Sequence, residues 1–290
     1  MDKIFFNGRI RTLDDADHVA EAVGVENGKI VFVGTNEEAE KIACEEKVDL
    51  GDRLLLPGFV DTHLHMLHYA FVERSVKLFD CTSVEEMLDA AKKRIEEHAG
   101  KPLTWLYCRG WNEEHFAEPR YPHKDELDAL STEIPIIMVR VCGHVGVCNS
   151  RGLELLKTIP QFSEIEKDVD LETGLIKENA VQFYYSLLDT PSQEEVENYI
   201  TYSAKKLNEC GFTGVQSDDL AALPGKNWKR IMNAYKALDA RGELNVRHYE
   251  QCLFERFDDA KAFVEEGYRT GQRGNHFTIG PMKLIQDGSL

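Results

Sequence analysis

Short apolar runs broken by polar turns fill the first 57 residues. FFNGRI and VENGKI each set Asn-Gly between strand-like flanks, at Asn7-Gly8 and Asn27-Gly28. A type I′ turn needs positive φ at both central residues, so both sites predict hairpins. Thr35 with Glu38 predicts a capped helix reaching about Cys44, and VDLGDRLLL returns to strand. Residues 1–57 read as part of a small β-sandwich rather than a barrel.

Further on, Ser83 and Glu86 predict a capped helix to about His98. TWLYCRGW at 104–111 and IPIIMVRV at 134–141 are apolar runs of strand length, separated by the polar NEEHFAEPRYPHKDE. From Ser192 the order becomes helix, strand, helix, strand, helix, strand. Ser192 and Glu195 open a helix ending at Gly211, GFTGVQS is a buried strand, and Trp228, Ile231, Met232, Tyr235 and Leu238 fall at helical spacing up to Arg241. ELNVRHYEQ, FDDAKAFVEEGY and FTIGPMKLIQDGSL continue the alternation, which implies βαβ units and a parallel sheet. The stretch 70–190 breaks that rhythm and predicts an insertion.

Between these regions stands LLLPGFVDTHLH, residues 54–65, where an apolar run gives way to Asp61, His63 and His65. On an extended strand these three share one face, and imidazoles two residues apart, about 7 Å along the strand, can close on one metal ion. A lone His-x-His is equally well two exposed or core histidines that happen to alternate, so its context has to decide.

Composition removes several classes of function. The 290 residues carry 34 Lys and Arg against 51 Asp and Glu, a net charge of −17, which repels nucleic acid and anionic membrane surfaces. No apolar stretch approaches the roughly 18 residues of a membrane span, and the N-terminal MDKIFFNGRIRTLDD lacks a signal peptide's apolar segment. Seven cysteines, scattered and without CxxC spacing, signal neither a zinc knuckle nor a disulfide framework and fit reduced thiols in the cytoplasm. Composition leaves a small-molecule substrate open as the partner without selecting it.

With its β-rich leader, LLLPGFVDTHLH, GFTGVQS and PMKLIQDGSL, the chain resembles the amidohydrolase superfamily. CRGWNEEHF and CGHVGVCNS resemble the branch that contains N-substituted formamide deformylases. The resemblance implies a (β/α)8 TIM-barrel type α/β fold, a metal-dependent hydrolase with an N-terminal β-sandwich part. Here only the first half of the barrel is present, 58–290, interrupted by an insertion over about 71–190. It implies barrel strands at 58–65, 212–218, 244–250 and 282–287, with the active site at their C-terminal ends. His63 and His65 match the first two metal ligands. Lys283, which falls early in the last of those strands, matches a lysine that many members carry as a carbamate bridging two metals. The expected cofactor is zinc or another divalent metal, one or two ions, with a carboxylated Lys283.

The expected reaction is attack of metal-activated hydroxide on an amide, formamide or similar C–N bond. The family's general base falls beyond residue 290, so no catalytic residue is assigned. His144, Asn149, Trp111 and Gln216 are the candidate substrate contacts. Gln216 and Asp218 face alike near a strand end, Asp61 is a candidate to orient a histidine, and His68 is a weaker candidate ligand. His248 and Trp228 read as structural, Cys142 and Cys148 as small hydrophobes.

Two rivals stand beside this reading. One is a phosphoesterase of the PHP or TatD kind, disfavoured by the leader; the other is a truncated, non-catalytic barrel used for binding. Family members are about twice as long, so the chain alone is expected to be inactive, with a homo-oligomer or a missing C-terminal half covering its open sheet edges.

Overall fold

A computed structural model describes residues 1–98 and 103–285. The chain forms two compact units, Met1–Phe59 and Val60–Leu290.

In the first unit the elements are β1 (Lys3–Phe6), β2 (Arg9–Arg11), β3 (Val19–Ala20), β4 (Ala22–Glu26), β5 (Lys29–Gly34), α1 (Asn36–Glu40), β6 (Glu46–Asp49) and β7 (Leu54–Leu55). They make two sheets, ordered β5-β4-β1-β6 and β3-β2-β7. Thr35 and Glu38 form the reciprocal capping box that starts α1. Asn27 and Gly28 both have positive φ, 50° and 71°, and join the antiparallel pair β4–β5. Asn7-Gly8 does not make the expected hairpin: it carries the chain from one sheet to the other. Asn7 bonds Asp49 and Asn36. A Cβ at Gly8 would come within 2.4 Å of Leu50 Cδ1, so close approach, not a type I′ turn, calls for glycine there.

The second unit opens with β8 (Phe59–Asp61, whose first residue belongs to the leader), α2 (Met66–Arg74), β9 (Val76–Lys77), α3 (Val84–Glu97), β10 (Leu106–Trp111), α4 (Lys124–Asp128), β11 (Ile136–Arg140), β12 (Val145–Cys148), α5 (Ser150–Leu156), α6 (Phe162–Ile165), β13 (Leu175–Lys177) and α7 (Asn179–Leu187). It continues through α8 (Gln193–Glu209), β14 (Phe212–Ser217), a 3-10 turn (Asp219–Ala221), α9 (Trp228–Arg241), β15 (Arg247–Leu253), α10 (Phe257–Glu265) and β16 (Phe277–Lys283).

One sheet runs β16-β15-β14-β8, with β14, β15 and β16 parallel. Helices cover one of its faces: Val215, Val246, Cys252, Phe277 and Ile279 pack with Ile200, Trp228, Met232, Tyr235 and Leu238. The last strand is Phe277–Lys283, not 282–287, of which residues 286 and 287 lie outside the described chain. Lys283 therefore ends its strand instead of beginning it. Pro281, which cannot donate to a ladder, is tolerated because β16 lies at the end of the described sheet.

Residues 76–177 supply a second sheet, β13-β12-β11-β10-β9. Its centre is apolar on both faces. Ile136 and Met138 pack on one side with Leu106 and Met87, and Ile137 and Val139 on the other with Leu153 and Tyr184. That two-sided burial explains the unbroken apolar run at 136–139. Trp111 is fully buried in the first of these cores and donates its indole N–H to the Met138 carbonyl.

Asn149 is equally buried and bonds entirely to the backbone. Its Oδ1 accepts from Ile136 and Gly152, the latter capping α5, and its Nδ2 donates to the Ser131 and Ile134 carbonyls. Both residues, expected as substrate contacts, are thus occupied as framework. Asn149→Ala would strand two N–H groups and two carbonyls and lose a helix cap. We expect it to cost about 2–4 kcal/mol in urea unfolding; a loss under about 0.5 kcal/mol, the range of a neutral surface change, would contradict that role.

Candidate functional site

The apolar strand β8 stops at Asp61, whose Oδ1 accepts the His63 N–H and turns the chain. Asp61 thus serves the backbone, not an imidazole. His63 and His65 follow in a turn, not on a continued strand face as expected, and their rings still lie 5.2 Å apart at an 80° interplanar angle. The Leu64 N–H is tied to the Gln216 carbonyl of β14, and His65 is the residue from which α2 begins.

Asp218, just beyond β14, receives both key side chains. One carboxylate oxygen accepts from His65 Nδ1, and the other accepts from the Lys283 ammonium at the end of β16. Burial would raise the Asp218 pKa, but the bonds from His65 and Lys283 outweigh it and hold the carboxyl below its usual range. The same bond to Asp218 raises His65, against a smaller opposing effect of burial. With Nδ1 occupied, the Nε2 lone pair of His65 is the one left for a ligand.

Behind this triad lies a buried clasp that the sequence reading did not find. Glu250 Oε1 accepts the N–H groups of Asp219 and Leu220, at 2.8 and 3.2 Å, and its Oε2 meets His248 Nε2 at 2.8 Å. Asp219 in turn accepts the Leu67 N–H and the Tyr235 hydroxyl, while Ser217 Oγ accepts the Met66 N–H. The start of α2, which carries His65, is thereby pinned to the turn that carries Asp218. Asp219, His248 and Glu250 offer ligand atoms within 4.8 Å of one another, but N–H and O–H donors already point at these carboxylates. Such donors would repel a cation, so the cluster is a structural clasp. Burial first, and the neighbouring Asp219 second, raise Glu250 well above the ordinary carboxylate value, and burial lowers His248 to about 3. The only hint in the sequence was a His-x-Glu-x-Cys alternation inside an apolar strand.

A cavity of about 390 Å³ opens beside the triad, lined among others by His65, His68, Tyr107, Arg109, His144, Tyr185, Asp218 and Lys226. His144 thus shares a cavity with His65, and its Nδ1 lies 3.2 Å from Glu178. His68 is pushed down to about 4 by burial and then by Arg109 and His65, so it is neutral near pH 7. His63, Lys283 and Gln216 are not among the lining residues; Gln216 accepts a bond from Gln251. Asp218, two residues on, is among the lining residues.

Mixed and parallel sheets with helices on one face and ligand-type side chains gathered beyond strand ends make this an α/β metal-dependent hydrolase fold. Residues 46–290 match the amidohydrolase family, and the chain belongs to it. It is 30% identical to the putative amidohydrolase YtcJ of Bacillus subtilis (strain 168), across 100% of this chain and 55% of the relative. It is 28% identical to the N-substituted formamide deformylase of Arthrobacter pascens, across 81% of this chain and 46% of that enzyme. Among solved structures it is similar to an uncharacterized metal-dependent hydrolase from Pyrococcus horikoshii OT3, with a TM-score of 0.77, 26% identity, and 99% of this chain against 55% of that one covered. The chain spans about half the length of these relatives. Among the described residues, no helix is long and apolar enough to cross a membrane.

Protonation of the clasp has a definite stability signature. Glu250 has a raised folded pKa, so its contribution is full below the ordinary value of 4.5 and is lost as pH rises through the folded value. Glu250→Gln keeps the acceptor for the two N–H groups and removes the buried charge. Its stability relative to the parent should therefore rise as pH climbs from about 4.5 towards the raised folded value, by up to about 1.4 kcal/mol per unit. Urea unfolding at several pH values measures this, and a difference independent of pH would contradict it.

Proposed function

We propose that this chain is the metal-binding half of a hydrolase that adds water across a non-peptide C–N bond, of the amide or formamide type, giving an acid and an amine. The observation that carries the reading is the meeting of three distant segments at Asp218, with His65 on one oxygen and Lys283 on the other. The donor set suits a divalent ion, zinc foremost, because neutral imidazole and oxygen donors are its usual ligands. His63, His65 and Lys283 would hold the ion. Bound there, it would lower the pKa of water towards about 7 and polarise a carbonyl.

The chain's own residues would do the rest by orientation. Asp218 fixes the His65 ring so that Nε2 faces outward. Lys283 as an ammonium neutralises Asp218. Carboxylated, it would place a second anion beside that carboxylate, an arrangement that needs cations close by. Neutral His68 and the Tyr185 ring line the cavity without adding charge to it.

We read the β14–β16 sheet as the first part of a (β/α)8 barrel. It ends on β8 and β16 without a further paired strand among the described residues. The leader would be part of a β-sandwich, and residues 71–190 an insertion that walls the pocket. In this reading turnover needs the remaining strands and their general base, and the free cysteines suit the cytoplasm.

Elemental analysis after zinc loading tests the reading. The parent should hold stoichiometric metal, and the double variant His63→Ala/His65→Ala should hold none while keeping its far-ultraviolet circular dichroism. Asp218→Asn presents an amide N–H₂ to the Lys283 ammonium and should weaken zinc binding by about 10- to 100-fold. Unchanged zinc content in the double variant would overturn the assignment. In an active form of the protein, zinc-dependent release of amine from N-substituted formamides is expected, and release of phosphate from phosphate esters instead would refute the C–N specificity.

A further inference from the structure

The charges around the cavity are mostly matched. Asp218 is met by His65 and Lys283, Glu255 by Lys226, and Glu178 by His144. Arg109 is different. Among the described residues no carboxylate lies within ion-pair distance of its guanidinium, and Nη1 donates to the Tyr107 hydroxyl at 3.4 Å. Arg94 and Arg230, also partly buried and without a carboxylate, donate to the carbonyls of Arg74 and Pro191, whereas Arg109 has a neutral hydroxyl at 3.4 Å and lines the cavity.

Strand geometry aims it at the cavity. Tyr107 and Arg109 alternate with the buried Cys108 and Gly110 on β10, and they pair in register with Ile137 and Val139 of β11. All four line the same cavity, as side chains two residues apart on neighbouring strands must when they share a face. Gly143 leaves the guanidinium room: its φ is +80°, and a Cβ there would stand 3.2 Å from Arg109 Nη2. Val139 is the cross-strand partner of Arg109, and Ile137 and Val181 add apolar lining to the same cavity.

We propose that Arg109, with the Tyr107 hydroxyl beside it, is a recognition site for a carboxylate on the substrate, so that the compound hydrolysed is an N-formyl or N-acyl amino acid with an apolar side chain. A planar guanidinium matches a planar carboxylate through two parallel N–H···O bonds. One cation neutralises one negative charge, which favours a carboxylate monoanion over a phosphate dianion in an acidic protein. The carboxylate at Arg109 and the apolar arm against Val139 and Val181 leave the amide to point towards His65 across the same cavity. This inference rests on the C–N hydrolase reading for what is cleaved, but not for what is bound.

The test is therefore made on binding, without turnover. Isothermal titration calorimetry of the 290-residue protein compares N-formyl-L-phenylalanine with N-formylphenethylamine, which lacks only the carboxylate. The parent should bind the acid about 10- to 100-fold more tightly, the range expected of a charge-assisted pair. Arg109→Gln should abolish that preference, and Arg109→Lys, which keeps the charge and loses the fork, should retain part of it. Circular dichroism checks that each variant is folded. Equal affinities in the parent, no detectable binding of either probe, or an acid preference that survives in folded Arg109→Gln would each overturn the proposal. If the acid preference is found but no C–N bond is ever cut, the hydrolase reading falls and the carboxylate site stands. If acid and neutral formamides are cut equally well, the reverse holds.

Discussion

The carboxylate of Asp218 is the point on which the site depends. It lies just beyond one strand, accepts from a histidine that follows another, and accepts from a lysine that ends a third. His65, Asp218 and Lys283 are far apart in sequence, so their meeting records the pairing order of the sheet. A carboxylate this buried is stable as an anion only because both oxygens face cations or strong donors. Remove either partner and the remaining charge would be left in a medium that solvates it poorly. The same arrangement fixes which nitrogen of His65 is free.

Rigidity comes from a layer behind the site. Glu250 caps the 3-10 turn after Asp218, and Asp219 and Ser217 accept the first N–H groups of α2. The backbone flanking both His65 and Asp218 is thus held by groups that do not face the cavity. Burial of these acids is unfavourable to their charge and raises the pKa of both Asp219 and Glu250. Their positions are nonetheless well determined, because most of their oxygens meet an N–H or O–H donor. This separates a polar site that must present free lone pairs from a polar core that must present none.

Local signals were legible in the sequence where one short segment decides the structure. The capping boxes at Thr35 and Ser192 start helices, Asn27-Gly28 makes its hairpin, and the apolar stripe from Trp228 to Arg241 is a helix with those bounds. Signals that depend on distant partners were misread. Asn7-Gly8 has the same local chemistry as Asn27-Gly28 yet joins two sheets, because Leu50 packs against Gly8. Asn149 and Trp111 looked like pocket residues because each adjoins an apolar strand. Their polar atoms are spent on backbone groups that only the folded sheet brings near. The bounds of the last strand came from the resemblance and missed its start at Phe277, and nothing in the strand pattern distinguished Asp218 from Gln216 as the residue on the pocket. The neighbours that settle such cases lie tens of residues away, beyond the reach of periodicity or turn chemistry.

The central claim, that Asp218 sets the His65 tautomer, is most directly tested by long-range ¹H–¹⁵N correlation of the histidine side chains in metal-free protein. The spectrum is recorded at a pH high enough that the ring's own ¹⁵N shifts report a neutral imidazole. The account predicts His65 with Nδ1 protonated and Nε2 bare, and a shift towards the ordinary tautomer mixture in Asp218→Ala. A parent spectrum in which His65 carries its proton on Nε2 would contradict it.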